Sequence, residues 1–529
     1  MDKRALDYLR DPWWRVSTLH MVRDETAKLV PFVPRKEQAE FYATKHNRNF
    51  ILKARKLGMS TLLALDNLDA CIFTPGTYAA IVDRSEAEAC GKLDMARCSW
   101  ENLEKNPDPR VAAVGKLIKD NLKLVADSDK EMRFSNGSKF EAGVSLRGGT
   151  PTRLHVSELG YIASHDRKRA EEIKAGSINA VPASGEVTIE TTHEGGKAGI
   201  SYEFARLAMD STARGIESPL DWRFHFFPWF DHPSYRLAIE NPRVDPRIIE
   251  YFQKLKAEHG ITLGPDRMAW YQAKFAEQRE AMFREFPSTP EEAFRAMVSG
   301  AIYPQMMNLR AAGRVKDFSH DPKAPLMAAW DIGISDFTSI WLVQVVGREL
   351  LWLGWYEGEG SGVGHYAEVI RSWERIFGKR IACHYLPHDA NQRERGTGKT
   401  YADHLREAGF APHTIKVVPR CPDIWQGIND LRDLLPRSWF HSRCDESRQS
   451  KTGTEKLSGV ACLESYHTQT VGASGAVREM PCHDETSHTA DAARTFAEAW
   501  ARGMVDTVGV LTNDEHRPQV RVITGLSDE

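Results

Sequence analysis

Three apolar runs, residues 326–333 (LMAAWDIG), 338–346 (TSIWLVQVV) and 349–356 (ELLWLGWY), follow one another with no helical stretch between them. An amphipathic helical pattern over 363–377, a strand-like run over 381–388 and a helical pattern over 401–408 come next. Few architectures accept the order βββαβα. A meander of three strands must be extended by a parallel strand that returns through a crossover helix.

The region before this block reads differently. Asn49-Phe50-Ile51-Leu52-Lys53 is a strand that runs into a small-residue turn, and a helical run from Ser60 to Cys71 follows directly. Tyr78 to Val82, Leu154-His155-Val156 and Glu186 to Glu190 are further short apolar strands. Strands alternating with helical stretches predict a parallel α/β sheet. Prolines at 287, 290, 322 and 325 interrupt the pattern between the blocks, which places a boundary in the 300–325 region.

With 529 residues, the chain is long enough for two or three folded units. Hydrophobic residues at 41% and charged residues at 27% exclude global disorder. No window has the ~18 uninterrupted apolar residues of a membrane span. The start, MDKRALDYLRDPWW, has no apolar h-region, so no secretory signal is expected. Eight cysteines show neither a CxxC pair nor zinc spacing and read as reduced thiols of a cytosolic protein. Net charge is −3, with 70 basic and 73 acidic residues, so bulk charge does not mark a nucleic-acid binder. Residues 1–60 hold 13 Lys or Arg against 7 Asp or Glu, and any such contact must come from local patches.

Lys53-Ala-Arg55-Lys56-Leu-Gly58-Met59-Ser60-Thr61 joins a strand to a helix. A glycine turn at a helix N-terminus presents backbone N–H groups to phosphate, a lysine adds a point charge, and a Ser or Thr hydroxyl ligates Mg²⁺. Met59 occupies the slot where the phosphate-loop lysine usually stands, so Lys53 is expected to reach the phosphates from the loop's other end. Upstream, Gln38 suits an amide that reads the adenine edge. Downstream, Ser157-Glu158 ends a strand where α/β sheets place ligand chemistry. Glu158 there can orient and deprotonate the water that attacks a γ-phosphate. Ser157 stands where an aspartate would hold Mg²⁺. Thr191 and Thr192 end the next strand and are positioned to sense the γ-phosphate through a hydroxyl.

A second constellation lies in the later block, whose βββαβα order is the ribonuclease H-like topology. Asp331 ends its first strand, Asp389 ends its fourth, and Asp491 opens a C-terminal helix in Ser487-His488-Thr-Ala-Asp491. In that topology the first and fourth strands are adjacent and a later helix crosses their ends, so the three carboxylates converge. Such a cluster needs a cation, and hard oxygen ligands select Mg²⁺ or Mn²⁺. Two ions would activate a water and stabilise the leaving oxygen of a phosphodiester. Asp336 is a candidate auxiliary ligand and His488 a candidate helix-capping neighbour. Arg393, Arg395 and Lys399 suit phosphate-backbone contacts.

Taken in order, Gln38, the Lys53…Gly58-Met-Ser-Thr loop, Ser157-Glu158, Thr191-Thr192, Glu285-Phe-Pro-Ser-Thr-Pro-Glu-Glu-Ala-Phe294, Asp331-Ile-Gly, Pro-His-Asp389 and Ser-His-Thr-Ala-Asp491 resemble the large terminase subunit of tailed bacteriophages. The resemblance covers roughly residues 30–500. It implies an α/β chain with an N-terminal phosphate-loop (RecA/ASCE-like) ATPase domain over 1–300, a linker over 301–325, a ribonuclease H-like nuclease domain over 326–510 and a polar tail over 511–529. The implied function is ATP-driven translocation of double-stranded DNA into a procapsid, with metal-dependent endonucleolytic cutting of the concatemer. Implied ATP-site residues are Gln38, Lys53, Arg55, Gly58, Ser60 and Thr61, with Ser60 on Mg²⁺, Glu158 as base and Thr191 and Thr192 in coupling. Asp331, Asp389 and Asp491 would hold Mg²⁺ or Mn²⁺ in the nuclease. Implied partners are the portal protein, a small terminase subunit and further copies in a ring, in the host cytoplasm, with no membrane. In a ring a neighbour's arginine can complete the ATP site; Arg55 is the candidate in cis. Two rivals share some of these features. A cellular DNA translocase would need a second RecA-like domain, and a ribonuclease H-type transposase or integrase would leave Lys53, Gly58 and Glu158 without a role.

Overall fold

Arg48–Lys53 (β1) is buried along its whole length, as befits a central strand covered on both faces. It belongs to the first of two units, Met1–Met297 and Val298–Glu529, into which the computed structural model divides. The structure describes residues 8–146, 149–194, 196, 199–240, 242–295, 300–333, 337–393, 398–449, 455–471 and 478–505. Asp336, Arg395 and the expected tail over 511–529 lie outside the described residues.

The sheet of the first unit continues with β2 (Tyr78–Val82), β3 (Leu124–Ser128), β4 (Glu131–Phe134), β5 (Lys139–Gly143), β6 (Arg153–Ser157), β7 (Glu186–Thr191) and β8 (Trp222–Phe227). Their order across the sheet is β8-β1-β7-β6-β2-β5-β4-β3. The strands from β8 to β5 run parallel, while β4 and β3 add an antiparallel edge. The loop-bearing strand β1 is thus separated from the Glu158-bearing strand β6 by β7. This is the ASCE arrangement, and it brings the C-terminal ends of β1, β7 and β6 side by side. A helix, α1 (Met59–Phe73), follows β1 and is buried nearly all round. Its two buried aspartates are neutralised rather than solvated: Asp69 by Arg15 at 2.7 Å, and Asp66 by Lys45 at 2.6 Å and by Arg153.

In the second unit, β9 (Leu326–Asp331), β10 (Phe337–Val346), β11 (Glu349–Glu359), β12 (Ile381–Leu386), β13 (Ile415–Val417) and β14 (Ser438–Phe440) form one sheet. The order is β13-β12-β9-β10-β11-β14. β9, β10 and β11 are antiparallel, and β12 joins β9 in parallel after the crossover helix α2 (Val363–Phe377). This is the ribonuclease H-like order that the βββαβα pattern predicts. Two further helices, α3 (Ile424–Leu434) and α4 (Ser487–Ala501), pack on the sheet's core. Gly427 lets α3 approach the Arg494 and Glu498 side chains of α4, where any Cβ would collide. The indoles of Trp341 and Trp355 donate to the carbonyl and hydroxyl of Thr489 at 2.9 and 3.1 Å, which pins α4 across the strands.

Two expectations shift. Residues 301–325, expected as a linker, belong to the second unit: Ile302, Tyr303, Met306 and Leu309 are buried in its core. Of the prolines that suggest a boundary, Pro290 opens the helix Pro290–Arg295, and Pro322 and Pro325 precede β9 within the second unit. Asp389 also does not end β12. That strand stops at Leu386, because Pro387 has no N–H to continue a ladder, and Asp389 sits on the short 3₁₀ turn His388–Asn391.

Candidate active sites

The first site is built at the C-terminal edge of the first unit's sheet. Lys53 closes β1, with its Nζ 3.4 Å from Glu190 Oε2 and 3.9 Å from Glu158 Oε1. Burial opposes the ammonium, but Glu190 and Glu158 outweigh it and hold its pKa above the usual lysine value. Glu158 follows β6 with left-handed backbone, φ +56°. Burial pushes its carboxyl up, Lys53 opposes that shift, and the nearby Glu190 charge adds to it. A carboxyl tuned upward suits a general base. Thr192 Oγ1 donates to Glu158 Oε2 at 3.4 Å, so the residue after β7 touches the carboxylate that follows β6.

The loop itself is locked from behind. Gly58 has φ +73°, and a Cβ there would lie 2.8 Å from Gln38 Nε2. Gln38 is buried. Its amide nitrogen donates to the Gly58 carbonyl at 2.7 Å, and its oxygen accepts from the Arg35 N–H at 2.8 Å. These two bonds leave one N–H and one lone pair of Gln38 unused.

Not every candidate converges. Ser60 donates to Glu190, inside the cluster, whereas the Thr61 hydroxyl faces the Met95 sulfur at 3.6 Å. Thr191 is fully buried. Its hydroxyl donates to the Thr192 carbonyl and accepts from the Gly160 N–H at 3.0 Å, so it shapes the strand end and Thr192 alone reaches Glu158. Arg55 Nε lies 2.8 Å from Glu285 Oε2, and Glu285 also takes Arg284, which reaches Glu194 at 3.1 Å. The expected cis arginine is thereby tied to the Glu285–Phe294 segment.

Glu190 is the site residue that the strand pattern hides, because it reads there only as the end of an apolar run. An acidic residue in a strand buried on both faces must have buried partners, and that signal is present in the sequence.

The second site lies on the second unit's sheet. A cleft of about 880 Å³ is lined by Asp331, Asp389 and Asp491, together with Arg420, Trp425 and Arg494 among others. Asp331 is pushed up to about 6, by burial first and by the Asp491 and Asp389 charges in addition. His488 Nδ1 lies 3.0 Å from Asp331 Oδ2, and that carboxylate, against the cost of burial, holds the imidazole above its usual value. His488 is therefore a bridge from α4 to β9 rather than a capping neighbour. Arg494 meets Asp491 Oδ1 at 3.0 Å and Glu498 at 2.7 Å. Their i, i+3 and i+4 spacing on one helix is legible in the sequence. Asp389 Oδ1 is buried with no hydrogen-bond partner. Asp331 feels the charges of both Asp389 and Asp491, and a buried carboxylate oxygen without a donor fits a hard divalent cation. Of the basic stretch after Asp389, Arg393 donates to the Gly398 carbonyl at 2.8 Å and Lys399 pairs with Glu407.

No family model matches the chain, and no curated protein does. Solved structures do. The large terminase of a thermophilic bacteriophage, in complex with ATP-γ-S, aligns over 88% of this chain and 98% of its own, at 11% identity and TM-score 0.29. The HK97 bacteriophage large terminase aligns over 84% and 95%, at 11% identity and TM-score 0.39. The P22 large terminase nuclease domain aligns over 38% of this chain and 93% of its own, at 17% identity and TM-score 0.26. These three solved structures are bacteriophage large terminases or a domain of one. At such identities and TM-scores the alignments carry no weight for the sites, and the two strand orders given above define the fold.

Proposed function

We propose that the chain is the large subunit of a viral terminase, an ATP-driven translocase of double-stranded DNA that also cuts the DNA it moves. The observation that carries this reading is the presence of both constellations in one chain: Lys53, Glu158 and Thr192 on an ASCE-ordered sheet, and Asp331, Asp389 and Asp491 around one cleft on a ribonuclease H-like sheet.

In the first unit, the N–H groups around Gly58 and the Lys53 ammonium receive the phosphates, and Glu158 takes the proton of the attacking water. Lys53 is held by two carboxylates, so a γ-phosphate enters by displacing part of that pairing. Loss of the γ-phosphate then changes the charge facing Glu158, and Thr192 passes the change to β7. ATP hydrolysis is thereby linked to movement of DNA.

In the second unit, Asp331, Asp389 and Asp491 would hold Mg²⁺ or Mn²⁺. When bound, the cation supplies an activated water and neutralises the leaving oxygen of a phosphodiester. The chain's own part is to hold these carboxylates: Thr489 is pinned by two tryptophans, and His488 orients Asp331. Arg420 lines the same cleft and suits a phosphate of the backbone.

Working partners under this reading are a procapsid portal, a small subunit that selects DNA, and further copies of the chain in a ring, in the host cytoplasm. No helix among the described residues is long and apolar enough to cross a membrane. ATPase assays, run beside plasmid cleavage in Mg²⁺, Mn²⁺ and EDTA, test the proposal. ATP hydrolysis together with metal-dependent nicking is expected, and absence of both from folded protein overturns it.

A further inference from the structure

The ladder between β6 and β7 pairs Ser157 directly with Glu190. Ser157 occupies the place where an acidic group is expected to hold the metal of the ATP site, so β6 contributes no such carboxylate beside Glu158. Glu190 brings one to the same spot from the neighbouring strand. Adjacent strands lie about 4.8 Å apart, and the extra methylene of glutamate over aspartate helps to cover that step.

The contacts of Glu190 go beyond those of a counter-ion. The side chain is fully buried. Its Oε1 accepts from the Ser60 hydroxyl, from Ser157 Oγ at 3.3 Å, and lies 3.1 Å from His155 Nε2. Its Oε2 has no hydrogen-bond partner and faces Lys53 Nζ at 3.4 Å. A salt bridge with Lys53 alone would not require Oε1 to gather two serine hydroxyls and an imidazole. One of those hydroxyls, Ser60, is the loop's own candidate metal ligand. Buried carboxylates are costly and persist where paired or where they serve a cation. His155 is itself buried and orients the carboxylate as partners of metal-binding groups do.

We propose that Glu190, together with Ser60, supplies the acidic metal-holding group of the ATP site, in place of the aspartate that Ser157 displaces. The cation class is a hard divalent ion, Mg²⁺ in the cell, which prefers oxygen ligands and reaches proteins through one or two carboxylates. This inference rests on the first unit being an ATPase.

The test measures binding of a fluorescent ATP analogue to the full chain in Mg²⁺ and in EDTA. In the wild type Mg²⁺ tightens binding. For Glu190→Gln, which keeps shape and removes charge, the Mg²⁺ enhancement should fall by roughly 10–100-fold, as when a partner of a metal site is lost. Affinity in EDTA should hold or rise. Ser157→Asp in the Glu190→Gln background should restore the enhancement by returning the charge to β6. If Glu190→Gln does not fold, Glu190→Asp replaces it: the charge that pairs Lys53 stays, the carboxylate retreats by one methylene, and a partial, Mg²⁺-selective loss is expected. An unchanged Mg²⁺ enhancement in whichever variant is folded overturns the proposal. So does equal weakening in Mg²⁺ and EDTA, which would assign Glu190 to Lys53 alone. If the folded wild type binds no nucleotide under either condition, the ATPase reading itself fails, which is a separate outcome.

Discussion

Thr192 Oγ1 reaches Glu158 Oε2 across the ends of two neighbouring parallel strands, at 3.4 Å. The contact is long for a hydrogen bond, yet it is the side-chain link from β7 to the carboxyl best placed to act as base. Under the proposed function, a nucleotide that moves Glu158 is expected to act on Thr192 through this contact. Thr192→Val should fold normally and bind ATP, while kcat for hydrolysis falls by roughly threefold to tenfold, the scale of one weak hydrogen bond to a charged group. Steady-state ATPase kinetics check this.

Glu158→Gln keeps the side chain's shape but cannot accept the proton of the attacking water. Hydrolysis should fall by roughly 10²–10⁴-fold, with nucleotide affinity retained in an equilibrium titration. Lys53→Ala removes the ammonium that both carboxylates orient, and should abolish hydrolysis. Wild-type turnover by Lys53→Ala would refute the displaced-lysine arrangement.

Asp491→Asn removes charge from the proposed nuclease cleft alone. Plasmid nicking in Mn²⁺ should drop to background while ATP turnover stays near wild type, since the ATPase groups lie on another sheet. A thermal melt of the same preparation beside the wild type separates loss of charge from loss of folding.

The boundary can be tested by truncation. A fragment starting at residue 298 retains Ile302, Tyr303, Met306 and Leu309 in the second unit's core. Starting instead at residue 312 removes all four, each worth about 1.5–3 kcal/mol of buried apolar surface. The longer fragment should unfold cooperatively, and the shorter should show a much lower Tm or aggregate. Equal melting of the two would return 301–311 to the status of a linker.

Acid should weaken the first unit through its buried histidines. His20, hydrogen-bonded to Ser99 at 2.8 Å, is driven down to about 3, mainly by burial. In the unfolded chain it titrates near 6.5. Between these values only the unfolded state takes up the proton, so stability present above pH 6.5 is lost as pH falls. At pH 5 this one residue accounts for up to about 2 kcal/mol relative to pH 7. Denaturant melts of wild type and His20→Asn at both pH values should show the wild type losing more. Parallel losses would rule out this proton uptake.

The order of the strands that bear the two sites follows from the residues alone, whereas β3, β4, β5, β8, β13 and β14 appear only in the folded chain. Apolar runs mark β1, β2, β6, β7 and β9–β12, because a strand buried on both faces must be apolar almost throughout. Strand ends carrying Lys53, Glu158 and Asp331 are legible for the same reason, since a charge stops an apolar run. How those ends pair emerges only in the folded chain. Whether Ser157 faces Glu190, whether Thr191 or Thr192 turns toward Glu158, and whether Arg55 turns to Glu285 depend on strand register and side-chain direction. Register alternates side-chain faces with every residue, and it is set by contacts between segments tens to hundreds of residues apart. The same holds for 301–325, whose prolines read as a break in sequence, while its apolar side chains find their partners only when the second unit's core closes around them.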